Sequence, residues 1–245
     1  MINKEKYLLD MEVQIGTKIL SLQFIKKTLD FFEYGSKDRV YLLLLFSCGL
    51  RPGEPTELTW DNFIFEKRYL IFRPKKQHGK VLRRVKISYK IMQEILYYYN
   101  NNIFYKKKLF AITSHSFCRI FNKKRKNLPI GWQEYSEVTR QGTVALYHLY
   151  TLRGFRTTYA TLVYYYYSKV YDHGDLAVKK TAKQMGHSSS FTTSEYYINR
   201  ISELDIEKYQ ELPFLELLDY IIYNEIQLSI PMFGERQQKM IEFEC

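Results

Sequence analysis

The chain has 245 residues and a formal net charge of +11, and this length can bury a core as one large domain or as a domain with an appendage. It contains no apolar run of about 18 residues and no secretory signal pattern, so we expect a soluble, intracellular protein without a membrane partner. Cys48, Cys118 and Cys245 lack metal-ligand spacing, which predicts reduced structural thiols and no bound metal. No Gly-rich phosphate loop and no Cys/His cluster is present, which argues against a nucleotide or zinc enzyme.

The first part of the chain predicts helices followed by strands. Apolar residues at helical spacing predict a helix over 22–33, and the apolar run 38–48 predicts a buried helix. Prolines and acidic residues favour a further helix that begins within 52–60. Alternating apolar residues over 63–88 predict a small antiparallel sheet, with a His78-Gly79 turn before its last strand.

The middle of the chain predicts two helices and an irregular segment. Residues 91–102 predict a helix that asparagines end, and residues 114–127 predict a helix with a strongly basic polar face. Residues 128–142 combine Pro, Gly and polar side chains, which favour a loop or a short irregular segment.

The last third is again predicted to be helical. Residues 153–171 and 175–186 predict two helices, the second with Asp175 as its N-terminal cap and Gly186 as its C-terminal stop. Residues 212–230 predict an amphipathic helix, which would pack either on its own domain or on a neighbouring protomer. Its apolar face comprises Leu215, Leu218, Ile221, Ile222 and Ile226. The fold class that follows is mainly α with a small antiparallel β-sheet.

Charge is unevenly distributed along the chain. Residues 67–90 contain ten Lys or Arg and no acid, and residues 106–126 contain eight more and no acid. Residues 203–245 have ten acids against three bases, a net charge of −7, which leaves +18 on residues 1–202. This asymmetry is typical of a polyanion-binding protein with an acidic tail, although Lys-rich faces can also be merely solvated.

Several side chains are candidates for chemistry. Arg51 lies in a predicted corner between helices, and Arg153 and Arg156 are three residues apart, so that they would share one helix face. His187 follows the predicted stop at Gly186. The other candidates are the hairpin lysines Lys75, Lys76 and Lys80 and the adjacent tyrosines Tyr196 and Tyr197.

Together these side chains supply what metal-free cleavage of a phosphodiester requires. Guanidiniums match the oxygens of a phosphoryl group and stabilise the charge of its transition state. A lysine can protonate the leaving 5′ oxygen, a histidine can transfer a proton, and a tyrosine can act as the nucleophile. Taken singly, each has an ordinary alternative, such as a surface ion pair between Arg51 and Glu54 or Glu57.

These residues resemble three motifs of the tyrosine recombinase family, which includes the phage integrases. The stretch "CGLRPGE" is similar to the first motif, with Arg51 as its arginine and Glu54 as its acid. The stretch "RGFRTTYAT" resembles the second motif, His-x-x-Arg, with Arg156 as its arginine. The stretch "MGHSSSFTTSEYY" resembles the third, Gly-His with a tyrosine nine residues on, which corresponds to His187 and Tyr196.

The resemblance implies a domain organisation and a function. It covers about residues 17–202 as a catalytic domain, preceded by an N-terminal segment, 1–16, and followed by an acidic helical tail, 203–245. It implies a site-specific recombinase or integrase that cleaves and rejoins double-stranded DNA through a 3′-phosphotyrosyl intermediate, without a cofactor. Such enzymes self-associate in a synaptic assembly on two DNA sites.

The resemblance also implies roles for individual residues. Arg51, Arg156 and Arg153 would hold the scissile phosphate and Tyr196 would attack it. Lys76, or its neighbour Lys75, would protonate the leaving 5′ hydroxyl, and His187 would assist proton transfer. The residues expected along the DNA backbone are Lys75, Lys80, Lys123, Lys124 and Arg125.

Departures from the family pattern keep alternatives open. Arg153 stands where the family usually has the histidine of His-x-x-Arg, and a shifted alignment would make Arg153 itself the motif arginine. Only 16 to 20 residues precede the first predicted catalytic helix, so we expect a catalytic domain alone, either as a natural short form or as part of a longer product. A DNA-binding regulator that has lost the reaction, or a DNA-relaxing topoisomerase on the same fold, remain alternative functions.

Overall fold

The computed structural model describes residues 19–20, 22–74, 82–102, 107–124, 134–138, 144–148, 151–171, 173–187 and 212–224. Within these ranges the chain is mainly helical with a small three-stranded antiparallel sheet, which confirms the predicted fold class. The helices are α1 Leu22–Asp30, α2 Lys37–Ser47, α3 Tyr89–Asn101, α4 Ser114–Lys124, α5 Leu152–Tyr171, α6 Gly174–Met185 and α7 Phe214–Tyr223. The strands are β1 Phe63–Ile64, β2 Tyr69–Phe72, β3 Arg83–Lys86, β4 Glu134–Val138 and β5 Val144–His148.

Helix α2 lies at the centre of the fold because its sequence is apolar on every side. Every residue from 40 to 46 is completely buried, as expected for a helix without a polar face. The Ser36 hydroxyl caps its N-terminus by accepting a hydrogen bond from the Arg39 N–H. Helix α5 packs against α2 and α6, while α7 packs against α1 and α3. The predicted buried helix over 38–48 is therefore confirmed.

The antiparallel sheet has the strand order β1-β2-β3, and its side chains alternate between two faces. Leu70 pairs with Val85 on the buried face. The outer face carries Tyr69, whose ring lies 3.8 Å from the Arg84 guanidinium carbon and 4.4 Å from Lys86 Nζ. The predicted strands are confirmed, whereas the predicted His78-Gly79 turn lies outside the described residues.

Two sequence predictions in the connecting segments are wrong. Residues 52–60 do not begin an α-helix but form short 3-10 turns, Pro55–Glu57 and Trp60–Asn62. Between these turns the extended Leu58 accepts a hydrogen bond from the Leu109 N–H at 2.8 Å, so the backbone cannot continue as a helix. The second error concerns 128–142, because β4 and β5 pair as an antiparallel hairpin. Pro129 and Gly131 precede β4, and Gly142 lies between β4 and β5, so none of them interrupts a strand.

Helix α6 begins and ends at defined residues. Its N-cap position is His173, and Asp175 lies in the first turn, so the predicted Asp175 cap is wrong. The predicted stop is confirmed, because Gly186 has the left-handed φ of +64° that ends many helices. The Gly186 N–H donates to the Lys183 carbonyl and the His187 N–H to the Ala182 carbonyl.

Helix α7 packs on its own chain through the apolar face predicted from the sequence. Of the residues predicted for this face, Leu218, Ile221 and Ile222 are buried and Leu215 is partly buried. Leu217, which was not predicted, is also buried. The predicted Ile226 lies outside the described residues. At the end of α7 a tyrosine hydroxyl binds a completely buried carboxylate of α3, that of Glu94. Glu94 accepts from Tyr223 Oη at 2.8 Å, Arg39 Nε at 2.7 Å and the Gly35 N–H at 3.0 Å.

Candidate active site

Helix α2 ends in a sharp corner that carries Arg51. Gly49 adopts a φ of +58°, and a Cβ at this position would lie 2.3 Å from Cδ1 of the buried Tyr159 ring, so the corner requires glycine. The Glu54 carboxylate closes the corner by accepting from the Arg51 N–H at 2.7 Å and from Arg51 Nη1 at 2.8 Å. Arg51 therefore forms the ion pair with Glu54 that the sequence analysis named as its ordinary alternative. The two hydrogen bonds hold the Arg51 side chain in a fixed orientation.

Arg156 extends from α5 to the same corner. Its side chain is buried and donates to the Gly49 carbonyl through Nη1 and to the Met185 carbonyl through Nη2 at 2.8 Å. The same Nη2 lies 3.1 Å from Nε2 of His187. Arg156 thus joins the end of α2 to the end of α6, and it brings together two of the motifs predicted from the sequence.

A third arginine, Arg83 of β3, was missed by the sequence analysis. It is 3% exposed and donates from Nε to the Gln184 carbonyl at 2.7 Å, from Nη1 to the Gly49 carbonyl at 3.2 Å and from Nη2 to the Cys48 carbonyl at 2.5 Å. The alternation of the strand sequence could have indicated that Arg83 is buried. Arg83 occupies the inward position of an alternating strand, two residues before Val85, and a buried arginine requires buried acceptors.

These side chains form one arginine cluster, which consists of Arg51, Arg83, Arg156, Glu54 and His187. The Glu54 carboxylate lies 2.8 Å from the Arg51 guanidinium, 3.9 Å from that of Arg83 and 4.0 Å from that of Arg156. Within the cluster three positive charges therefore face a single negative charge. Such a surplus in a partly buried site favours the binding of an anion.

His187 is neutral in this arrangement. Burial, reinforced by Arg156, Arg51 and Arg83, lowers the pKa of His187 to about 3. A guanidinium can only donate hydrogen bonds, so the contact with Arg156 makes Nε2 the acceptor. The imidazole proton is therefore on Nδ1, and at neutral pH His187 is a hydrogen-bond donor through that nitrogen.

The other predicted site residues fall into two groups. Arg153 is exposed, and among the described residues its side chain has no hydrogen-bond or ion-pair partner, although Arg156 is buried only one turn further on. Lys123 and Lys124 are exposed in the last turn of α4, and Lys124 forms an ion pair with Asp38. The predicted residues outside the described ranges are Lys75, Lys76, Lys80, Arg125 and Tyr196.

The described residues contain neither a metal-binding cluster nor a membrane-spanning helix. No group of three or more His, Cys, Asp or Glu side chains in these ranges is placed to hold a metal ion. Among the same residues, no helix has both the length and the apolar character needed to cross a membrane.

Comparison with known proteins gives matches in structure but not in sequence. No family model matches the chain, and no curated protein matches its sequence. A structure of the Tn1549 transposon integrase in complex with circular intermediate DNA matches with a TM-score of 0.51 and 18% identity, over 80% of this chain and 66% of the integrase chain. XerA recombinase matches with a TM-score of 0.54 and 17% identity, over 83% and 67% of the two chains.

A third match concerns a lambda integrase dimer bound to a COC′ core site. It has a TM-score of 0.51 and 16% identity, over 77% of this chain and 62% of the integrase chain. The chain thus spans about two thirds of the length of the solved chains that it matches. These likenesses show that the protein has the catalytic-domain fold of the tyrosine recombinases.

Proposed function

We propose that the protein breaks and rejoins DNA strands by the chemistry of the tyrosine recombinases. The observation that carries the proposal is the arginine cluster, in which Arg51, Arg156 and His187 converge from chain segments up to 136 residues apart (187 − 51). The fold supports the same conclusion. We assign residues 17–202 to the catalytic unit and the acidic residues 203–245 to a tail.

The scissile phosphate binds at the arginine cluster. A phosphodiester brings one negative charge, and its transition state adds a second, which the two surplus positive charges of the cluster compensate. Arg51 is the best placed to reach it, because 24% of its side chain is exposed whereas Arg83 and Arg156 are almost completely buried. Fixed guanidiniums act without reorganisation during the reaction.

His187 contributes a hydrogen bond instead of a positive charge. Because its Nε2 accepts from Arg156, the ring keeps its proton on Nδ1 and donates through that nitrogen. The low pKa keeps the ring in this state throughout the neutral range. This role is narrower than the general assistance with proton transfer expected from the sequence.

Tyr196 and Lys76 complete the reaction. The phenolic oxygen of Tyr196 releases its proton to solvent, attacks phosphorus and forms a 3′-phosphotyrosyl bond while the bond to the 5′ oxygen breaks. Lys76 gives the leaving oxygen its proton. Attack by a 5′ hydroxyl on the phosphotyrosyl bond rejoins the strand. The residues that would contact the DNA backbone are Lys75, Lys80, Lys123, Lys124 and Arg125, and two or more copies would assemble on paired DNA sites.

Trapping of the covalent intermediate tests this proposal. The substrate is a library of nicked duplexes with random sequence around the nick, from which the short cleaved strand diffuses away so that rejoining fails. We expect wild-type protein and Tyr197→Phe to form a denaturation-resistant adduct and Tyr196→Phe to form none. Sequencing of the trapped DNA then identifies the site. An adduct that persists in Tyr196→Phe would contradict the assignment of the nucleophile.

The placement of Arg153 favours a second candidate function. At the position of the family's motif histidine the chain has an exposed arginine whose side chain has no partner in the described ranges, which is consistent with a DNA-binding regulator that does not cleave. Such a protein would shift duplex DNA in a native gel and give no adduct. A relaxing topoisomerase would instead remove supercoils from a plasmid without site preference.

A further inference from the structure

We propose that Arg83 is a positioning residue, which holds the Arg51 corner and the His187 turn in register by bridging the C-terminal ends of α2 and α6. This inference deepens the proposed function and rests on it. Arg83 lies in neither of the arginine-bearing motifs of the sequence analysis, and its side chain is almost completely buried. It therefore acts through other groups of the site and not by contact with DNA.

The first part of the bridge is the end of α6. The last four carbonyls of a helix have no partner within it, and here each of them has a donor from elsewhere. The Gly186 turn satisfies two, and the two buried arginines satisfy the others. The pairs are His187 N–H to Ala182 O at 2.9 Å, Gly186 N–H to Lys183 O at 3.1 Å, Arg83 Nε to Gln184 O at 2.7 Å and Arg156 Nη2 to Met185 O at 2.8 Å.

The second part of the bridge is the end of α2. The Cys48 carbonyl accepts from Arg83, and the Gly49 carbonyl accepts from both Arg83 and Arg156. Helix C-termini carry a partial negative charge, so two such ends brought together inside the protein repel each other. A buried guanidinium placed between them removes that repulsion and satisfies the carbonyls. Its planar fork reaches three acceptors in fixed directions, which an ammonium cannot do.

The bridge connects directly to the reacting groups. Gly49 is two residues before Arg51, and Gln184 is three residues before His187. A shift of either carbonyl would therefore move the guanidinium or the imidazole that binds the phosphate. Displacement of such groups by about 1 Å is worth about 100-fold in rate. Arg83 also faces His187 electrostatically, together with Arg156 and Arg51, while Glu54 is the acid of the cluster.

Three variants separate the charge of Arg83 from its geometry. Arg83→Met removes both, and Arg83→Lys keeps the charge without the planar fork. Arg84→Met is the matched control, because it removes the same charge from the next residue, whose side chain lies over the Tyr69 ring on the outer face of the sheet. The readouts are an NMR titration of the His187 imidazole, assigned with His187→Gln, and kcat and KM for adduct formation.

In Arg83→Met we expect the pKa of His187 to rise only slightly from about 3, because burial, Arg156 and Arg51 all lower it more than Arg83 does. We expect kcat to fall by about 10- to 100-fold with KM little changed. Arg83→Lys should keep the low pKa of His187 but lower kcat as Arg83→Met does. Arg84→Met should change neither the His187 pKa nor kcat. If Arg83→Met does not fold, Arg83→Lys decides the matter.

The two proposals fail in different ways. Arg83→Lys with the wild-type kcat, or a folded Arg83→Met with the wild-type kcat and an unchanged His187 pKa, would overturn the positioning role. The absence of an adduct with the wild-type protein would overturn the proposed function instead. The NMR titration needs no DNA, so it still decides whether Arg83 acts on His187 in that case.

Discussion

Gly49 combines three demands that no other residue type meets. Its backbone has a left-handed φ, a Cβ at this position would lie 2.3 Å from Cδ1 of Tyr159, and its carbonyl accepts from two buried arginines. A side chain here would press on the ring and displace the carbonyl at the same time. The geometry of the arginine cluster therefore depends on a residue that has no side chain of its own.

Replacement of Gly49 by alanine should destabilise the protein strongly. We expect Gly49→Ala to lower the free energy of unfolding by about 2 to 5 kcal/mol, the sum of about 1–2 for the left-handed backbone and about 1–3 for overpacking. Urea unfolding followed by circular dichroism measures this change. The control is Gly53→Ala in the same corner, where the nearest atoms lie 3.8 Å from the added Cβ and the change should stay within about 0.5 kcal/mol. Equal effects would contradict the prediction.

The arginines that belong to recognisable motifs, Arg51 and Arg156, could be predicted from the sequence, whereas Arg83, which belongs to none, was missed. Arg51, Arg156 and His187 were predicted, and the structure brings them together. Arg83 was not predicted, because a strand arginine among many basic residues looks solvated until the acceptors are known. Those acceptors are backbone carbonyls of Cys48, Gly49 and Gln184, which no side-chain pattern reveals.

At the scale of elements, the docking of α7 depends on a buried ionic network. Glu94 has no exposed surface, and an isolated buried carboxylate is costly. Arg39 neutralises it and the Tyr223 hydroxyl satisfies its second oxygen at 2.8 Å, which fixes the last turn of α7 on α3. Burial, and after it the Glu94 carboxylate, raises the pKa of Tyr223, so this hydroxyl keeps its proton and remains a donor.

Removal of the Tyr223 hydroxyl should weaken the docking of α7. We expect Tyr223→Phe to cost about 1.5 to 3 kcal/mol of unfolding free energy, since it leaves a buried charged acceptor without its partner. Chemical denaturation measures the loss. Tyr89→Phe on the same helix α3 is the matched control, because Tyr89 is 61% exposed and should change stability by less than about 0.5 kcal/mol. A similar loss in both variants would argue against the network.

Helices and strands with a clear apolar pattern or a distinct end residue could be predicted from the sequence, whereas the segments that connect them could not. The buried helix α2 follows from its uninterrupted apolar sequence, and the stop of α6 follows from Gly186. The 3-10 turns near Pro55 depend instead on the Leu58 contact with Leu109, which is 51 residues distant (109 − 58). The β4–β5 hairpin has no strong turn dipeptide, and the Pro, Gly and polar residues of 128–142 predicted a loop instead.

At the scale of the whole molecule, the basic surplus of residues 1–202 should dominate DNA affinity. We expect binding to a random-sequence duplex to weaken by about 10³- to 10⁵-fold between about 50 and 200 mM salt, the change expected for a protein that contacts about six to ten phosphates. Fluorescence anisotropy over a salt series measures the slope of log affinity against log salt. Lys123→Ala should reduce the slope by about one. A salt-independent affinity would contradict the electrostatic mechanism.

The choice between packing in cis and in trans could not be made from the sequence. The apolar face of α7 indicates that another surface covers this helix, but it does not indicate whether that surface belongs to the same chain or to a neighbouring protomer. The described contacts place it on α1 and α3 of the same chain, through pairs as distant as Tyr223 and Glu94, 129 residues apart. Such pairs are set by the whole fold, because both the donor and the buried acceptor depend on it.

The surplus of guanidiniums over carboxylates in the arginine cluster affects laboratory handling. A small oxyanion such as sulfate that occupies this cluster relieves repulsion in the folded protein and stabilises it by mass action. The same ion would occupy the position that we propose for the scissile phosphate. Sulfate-containing storage buffers should therefore protect the purified protein and inhibit it in the same tube, so that samples need exchange into chloride before any assay with DNA.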